Sequence, residues 1–84
     1  MFTTYILHSD KIDKYYIGYT GDSLTERIRR HNTKHKGFTG KTNDWKMVFS
    51  LKFETKKEAY AFERKIKKWK SRPKIIELIN EYKV

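Results

Sequence analysis

Two stretches near the N-terminus, Thr3 to Leu7 and Tyr15 to Tyr19, are dense in β-branched and aromatic side chains, and the polar segment His8 to Lys14 separates them. That pattern predicts a β-hairpin. Side chains alternate across a strand, so Tyr15, Ile17 and Tyr19 share one face of the second strand and Tyr16 and Gly18 the other. Gly21-Asp22 then turns the chain, and Ser23 with Glu26 has capping-box spacing, which predicts a helix from about Leu24 to Asn32. Leu24 and Ile28 form its apolar edge; Arg27 and His31, four residues apart, lie together on a neighbouring stripe.

The segment Thr33 to Asp44 holds two Gly, three Thr and three Lys with almost no apolar content, as expected of an exposed loop. Alternation returns over Lys46 to Phe53. It predicts a third strand with Met47, Phe49, Leu51 and Phe53 on one side and Val48 and Ser50 on the other. Thr55 and Glu58 repeat the capping spacing, and Ala59, Phe62, Ile66 and Trp69 recur at intervals of three and four, marking a long amphipathic helix to about Lys70. Pro73 ends it and starts a short final helix containing Ile75, Ile76, Leu78 and Ile79. The expected fold is α/β of the α+β kind, a small, mostly antiparallel three-stranded sheet flanked by helices in the order β-β-α-β-α-α. Eighty-four residues support one core, so residues 1–84 are expected to form a single domain.

Composition narrows the function. There is no cysteine, which excludes disulfides and thiolate metal sites, so any metal must take carboxylate, imidazole or water ligands. No apolar run approaches the roughly 20 residues of a membrane span, and Met1 to Tyr5 lacks a leader pattern, so a cytoplasmic protein is expected. Twenty Lys and Arg against ten Asp and Glu give a formal net charge of +10, which points to a polyanionic partner, nucleic acid above all. Lys34, Lys36 and Lys41 in the loop, with Arg30 and Lys67 on the helices, are the candidate phosphate contacts.

Cleaving a phosphodiester needs an oriented water, positive charge where the phosphorane charge develops, and groups to move protons. Tyr5, Tyr16, Arg27, His31 and Glu63 are the residues suited to this. Each has a plainer role available. Tyrosines in strands are ordinarily half-buried core, Arg27 and His31 fit a solvated helix face, and Glu63 is spaced to pair with Lys67.

In order and spacing, however, these residues resemble the GIY-YIG nuclease family, from Thr3 to about Ile79. Tyr16-Ile17-Gly18 reproduces the YIG element, and Thr3-Thr4-Tyr5 stands for GIY, keeping the tyrosine and losing the glycine. The segment Tyr19 to Arg27 is similar to the family's turn and arginine-bearing helix. It runs one residue longer than the common pattern, which leaves Arg29 or Arg30 as alternatives to Arg27. His31 fits the accessory His or Tyr position. Glu58 to Trp69 resembles the helix that carries the metal-binding glutamate, at Glu63, particularly in small bacterial single-domain members. Asn80 is the candidate for an accessory asparagine, and a simple helix cap is the alternative.

The resemblance implies a metal-dependent endonuclease acting on DNA in repair, recombination or turnover. One Mg²⁺ or Mn²⁺ ion would sit on Glu63, Arg27 would stabilise the developing charge, and Tyr5 and Tyr16 would flank the attacking water. Cations nearby are expected to lower a tyrosine pKa from its ordinary 10, and a histidine, which titrates near neutrality, could share the proton transfer. RNA is compatible with the charge, specificity is expected to come either from a protein partner or from a branched or single-stranded substrate structure, and either a monomer or a dimer fits. The alternative is a non-catalytic nucleic-acid-binding module on the same scaffold.

Overall fold

The computed structural model describes residues 1–33 and 42–82. Strands β1 (Phe2–Ser9) and β2 (Lys14–Thr20) form the hairpin, followed by helix α1 (Leu24–His31), strand β3 (Lys46–Phe53) and helices α2 (Lys56–Trp69) and α3 (Arg72–Glu81). The order matches the sequence expectation. The sheet is fully antiparallel in the order β2-β1-β3, so the first strand of the chain lies in the middle.

Each sheet face has its own core. Ile6 and Phe49, with Ile17 and Leu51 beside them, pack against Phe62 and Ile66 of α2 and Ile75 and Leu78 of α3. Tyr5 and Leu7 pack with Trp45, Tyr16 and the Leu24–Ile28 edge of α1. This division follows the period-two alternation of β1, in which four consecutive residues, Thr4 to Leu7, are buried because both faces are covered. The Thr4 hydroxyl donates to the Ala59 carbonyl at 2.8 Å and ties α2 to the central strand, one helical turn before Glu63.

The third strand departs from simple alternation. Ile6 pairs with Phe49 but Leu7 pairs with Met47, so Val48 is an extra residue in a β-bulge. Neighbouring residues of β1 face opposite ways, so the bulge puts Met47 on the opposite face from Phe49. Val48 packs with the Phe49 core and Met47 is 45% exposed, which corrects the assignment of Met47 and Phe49 to a common side.

The helix ends are capped largely as the sequence signals require. Ser23 and Thr55 accept from the Glu26 and Glu58 backbone amides, respectively. The reciprocal half of each capping box is replaced: Glu58 takes the Thr55 hydroxyl, and Glu26 takes Arg29. Asn32 lies one residue past α1 as its C-cap. Lys70 closes α2 in the left-handed conformation, and Ser71 with Pro73 opens α3. Among the described residues, no helix is long and apolar enough to cross a membrane.

Candidate active site

Tyr5 and Gly18 are cross-strand partners, so their side-chain positions face the same way. The Tyr5 ring lies over Gly18. A Cβ there would come within 2.8 Å of Tyr5 Oη and 2.9 Å of Cζ, so this close approach is what requires glycine. Tyr16 follows the same face two residues away, and its ring centroid is 6.5 Å from that of Tyr5.

Helix α1 brings His31 over this pair. The ring centroids of Tyr16 and His31 are 4.8 Å apart, and Tyr5 Oη and His31 Nε2 are in hydrogen-bond contact at 2.9 Å. With Nε2 unprotonated, the hydroxyl donates to it. Tyr5 is fully buried and His31 nearly so, which fixes both groups by packing. One turn earlier, the Arg27 guanidinium lies against the Tyr5 hydroxyl, and its Nε is buried without a hydrogen-bond partner among the described residues. Arg29 and Arg30 instead lie on the exposed side of α1 beside Glu26. Of the three arginines, Arg27 is the one that lines a cleft beside Tyr5 and Tyr16.

An open cleft of about 400 Å³ collects these groups: Tyr5, Tyr16 and Gly18 from the hairpin, Arg27 from α1, and Lys56 and Glu63 from α2. The two helices belong to opposite faces of the sheet and converge along the β2 edge. Glu63 is only 6% exposed, and its Oε1 lies 3.1 Å from Lys67 Nζ. The ion pair at four-residue spacing is thus formed, and Glu63 also borders the cleft.

Burial raises the Tyr5 pKa above the ordinary 10.0, outweighing the lowering effect of Arg27. Arg27 acts in the expected direction, but burial of the ring in the apolar cluster with Leu7 and Trp45 has the larger effect. Tyr5 remains a neutral hydroxyl near pH 7.

No three His, Asp or Glu side chains among the described residues converge as a ready metal cage. Glu63 is a single, largely buried carboxylate at a polar cleft, a donor set suited to a hard cation that keeps several waters and takes other contacts from phosphate. It does not suit tetrahedral zinc.

The remaining sequence candidates are dispersed. Lys34, Lys36 and Lys41 lie outside the described residues. Asn80 is exposed in the last turn of α3 and does not line the cleft. Two participants carried little sequence signal. Lys56 lines the cleft but is one cation among twenty. Asn32 grips the Trp45 backbone from both sides, Nδ2 donating to the carbonyl at 2.9 Å and Oδ1 accepting from the amide at 2.7 Å. That clamp holds Trp45 against Tyr16, with ring centroids 6.4 Å apart.

Comparison with curated proteins and with solved structures gives no match. The chain does match the GIY-YIG catalytic domain over residues 1–77, a stretch that contains the hairpin, the arginine helix and the glutamate helix just described. With 77 of 84 residues matched, the chain belongs to the GIY-YIG catalytic-domain family, a nuclease-associated family.

Proposed function

We propose that this protein is a divalent-metal-dependent endonuclease that hydrolyses phosphodiester bonds in DNA. The observation that carries the reading is the convergence on one cleft of Tyr5, Tyr16, Arg27 and Glu63, with His31 bonded to Tyr5. These supply a charged phosphate-binding group, a proton path and a carboxylate within one concave surface.

Arg27 binds the scissile phosphate through guanidinium N–H groups and stabilises the charge that grows on its oxygens as water adds to phosphorus. Tyr16, whose ring lines the same cleft, positions the attacking water. Tyr5 relays the proton. Its hydroxyl remains protonated at neutral pH, so it passes its own proton to His31 as it accepts one from the water. The phosphorus–oxygen bond opposite the incoming water breaks, and the departing oxygen is protonated from solvent. Glu63 would hold one Mg²⁺ or Mn²⁺ ion, which supplies Lewis acidity at the phosphoryl oxygens. Lys67 neutralises Glu63 in the meantime.

The Glu63–Lys67 ion pair also favours a second reading, a nucleic-acid-binding module in which Glu63 only stabilises α2. The two readings separate on labelled single-stranded, duplex, flap and junction DNAs incubated at low salt with Mg²⁺ or Mn²⁺, wild type beside Glu63→Gln. Cleavage by wild type that disappears in Glu63→Gln, with DNA binding retained, supports the nuclease. Equal cleavage by both proteins removes Glu63 from the chemistry, and binding with no cleavage of any substrate favours the module.

A further inference from the structure

A second cleft, of about 460 Å³, lies between the hairpin turn, β2 and the junction of α2 with α3. It shares Tyr16 with the first cleft, and Lys67, whose ammonium reaches Glu63, lines its wall, so the two are contiguous. Lys14, Lys70 and Arg72 also line it, against a single carboxylate, that of Asp13. Arg72 is committed to the hairpin turn, where it binds the Asp13 carboxylate and the Asp13 carbonyl at 3.1 Å. Lys14 and Lys70 are exposed and have no ion-pair partner among the described residues.

Three local choices at this cleft run against the stability of the isolated chain. Among the described residues, Asp13 (φ 50°) and Lys70 (φ 46°) are the non-glycine residues with positive φ, and both border it. Lys70 is the more telling case. It occupies the left-handed position that ends α2, where glycine is ordinarily preferred and a Cβ is unfavourable. In addition, α3 begins with Arg72 and Lys74 and has no acidic residue in its first turn, so positive side chains lie at the positive end of the helix dipole. An anion in the cleft offsets the unpaired positive charge of Lys14 and Lys70, and a lysine at position 70 then contributes a contact that glycine cannot make.

We infer that this second cleft is a backbone groove for the nucleic-acid strand extending from the active site, with Lys14 and Lys70 contacting successive phosphates. The inference rests on the nuclease reading only for the identity of the first cleft. Recognition here is by phosphate charge and carries no sequence preference.

The test is fluorescence anisotropy with a labelled single-stranded oligonucleotide in EDTA, where cleavage is absent, over a series of salt concentrations. Wild type is compared with Lys14→Gln/Lys70→Gly and with Lys52→Gln/Lys57→Gln, which removes two exposed cations from β3 and from the outer surface of α2. The glycine substitution relieves the backbone at position 70, so the Lys70→Gly single variant is expected to melt about 4 °C above wild type. Loss of two phosphate contacts should lower the slope of log affinity against log salt by about 1.4 and weaken binding about tenfold at low salt. The control pair should leave the slope within about 0.3 of wild type. A cleft variant whose slope matches that of the control pair overturns the groove, as does a wild type that fails to bind the oligonucleotide. Failure of the nuclease reading is seen separately, as wild-type binding without cleavage when Mg²⁺ or Mn²⁺ is restored.

Discussion

Tyr5 depends on the missing side chain of Gly18: its hydroxyl occupies space that a Cβ on residue 18 would bring to 2.8 Å. The glycine of the YIG element is therefore a steric requirement of the tyrosine on the neighbouring strand. Gly18→Ala must push a fully buried ring that also holds His31. Overpacking of this kind costs about 1–3 kcal/mol, so denaturant unfolding should show a loss in that range. Single-turnover cleavage should fall as well, because the Tyr5–His31 contact is disturbed. Wild-type stability in Gly18→Ala would show that the ring moves aside freely.

Arg27 combines a catalytic assignment with a buried Nε that has no partner among the described residues. Arg27→Met removes the charge and the unsatisfied donor while keeping much of the aliphatic volume. Cleavage should slow by about 10²–10³ through loss of charge stabilisation. Stability should hold or rise by about 1 kcal/mol, since an unpaired buried donor has been removed. Parallel kinetic and urea-unfolding measurements check the opposed directions; a large loss of stability would mark Arg27 as a structural residue.

Burial of Tyr5 makes a statement about alkaline stability. Its pKa is raised in the folded protein above the ordinary 10.0, so the protonated hydroxyl is favoured by folding. That contribution is complete below the unfolded pKa and is lost as pH rises through the folded value. Unfolding free energy should therefore decline more steeply above about pH 10 in wild type than in Tyr5→Phe. The difference between the two proteins isolates Tyr5 from the other tyrosines and lysines that titrate in the same range.

Lys67 occupies one oxygen of the carboxylate proposed to take the metal. Lys67→Gln should lower the Mn²⁺ concentration needed for half-maximal cleavage at saturating DNA, by several-fold, because the ion no longer competes with an ammonium. An unchanged metal requirement would indicate that the Glu63–Lys67 pair opens without consequence.

Much of this site was legible because local periodicity places it. Alternation put Tyr16 and Gly18 on one face, and four-residue spacing put Arg27 and His31 on one helical stripe, which is where the structure has them. The parts that were hidden depend on long-range geometry. Nothing local distinguishes Val48 as a bulged residue, because the bulge is a property of pairing between β1 and β3. The hydrogen bonds of Asn32 to Trp45 span 13 residues and close only when α1 and the start of β3 meet. The rise in the Tyr5 pKa likewise could not be read from the charges along the chain, because burial by Leu7, Trp45 and α1 outweighs the nearby guanidinium.

The chain's first strand is also the sheet's middle strand, and it carries Tyr5. Backbone amides in such a position exchange with solvent only through the largest openings of a domain, whereas helix ends and hairpin turns open at lower free energy. Tyr5 is thus mounted on the last segment to come apart; the Thr4–Ala59 bond fastens the helix of Glu63 to that same strand, whereas Arg27 rides on the short helix α1. Gradual heating should therefore release Arg27 before it releases Tyr5 and Glu63, and any cleavage activity should fade at temperatures where the central strand still resists hydrogen exchange.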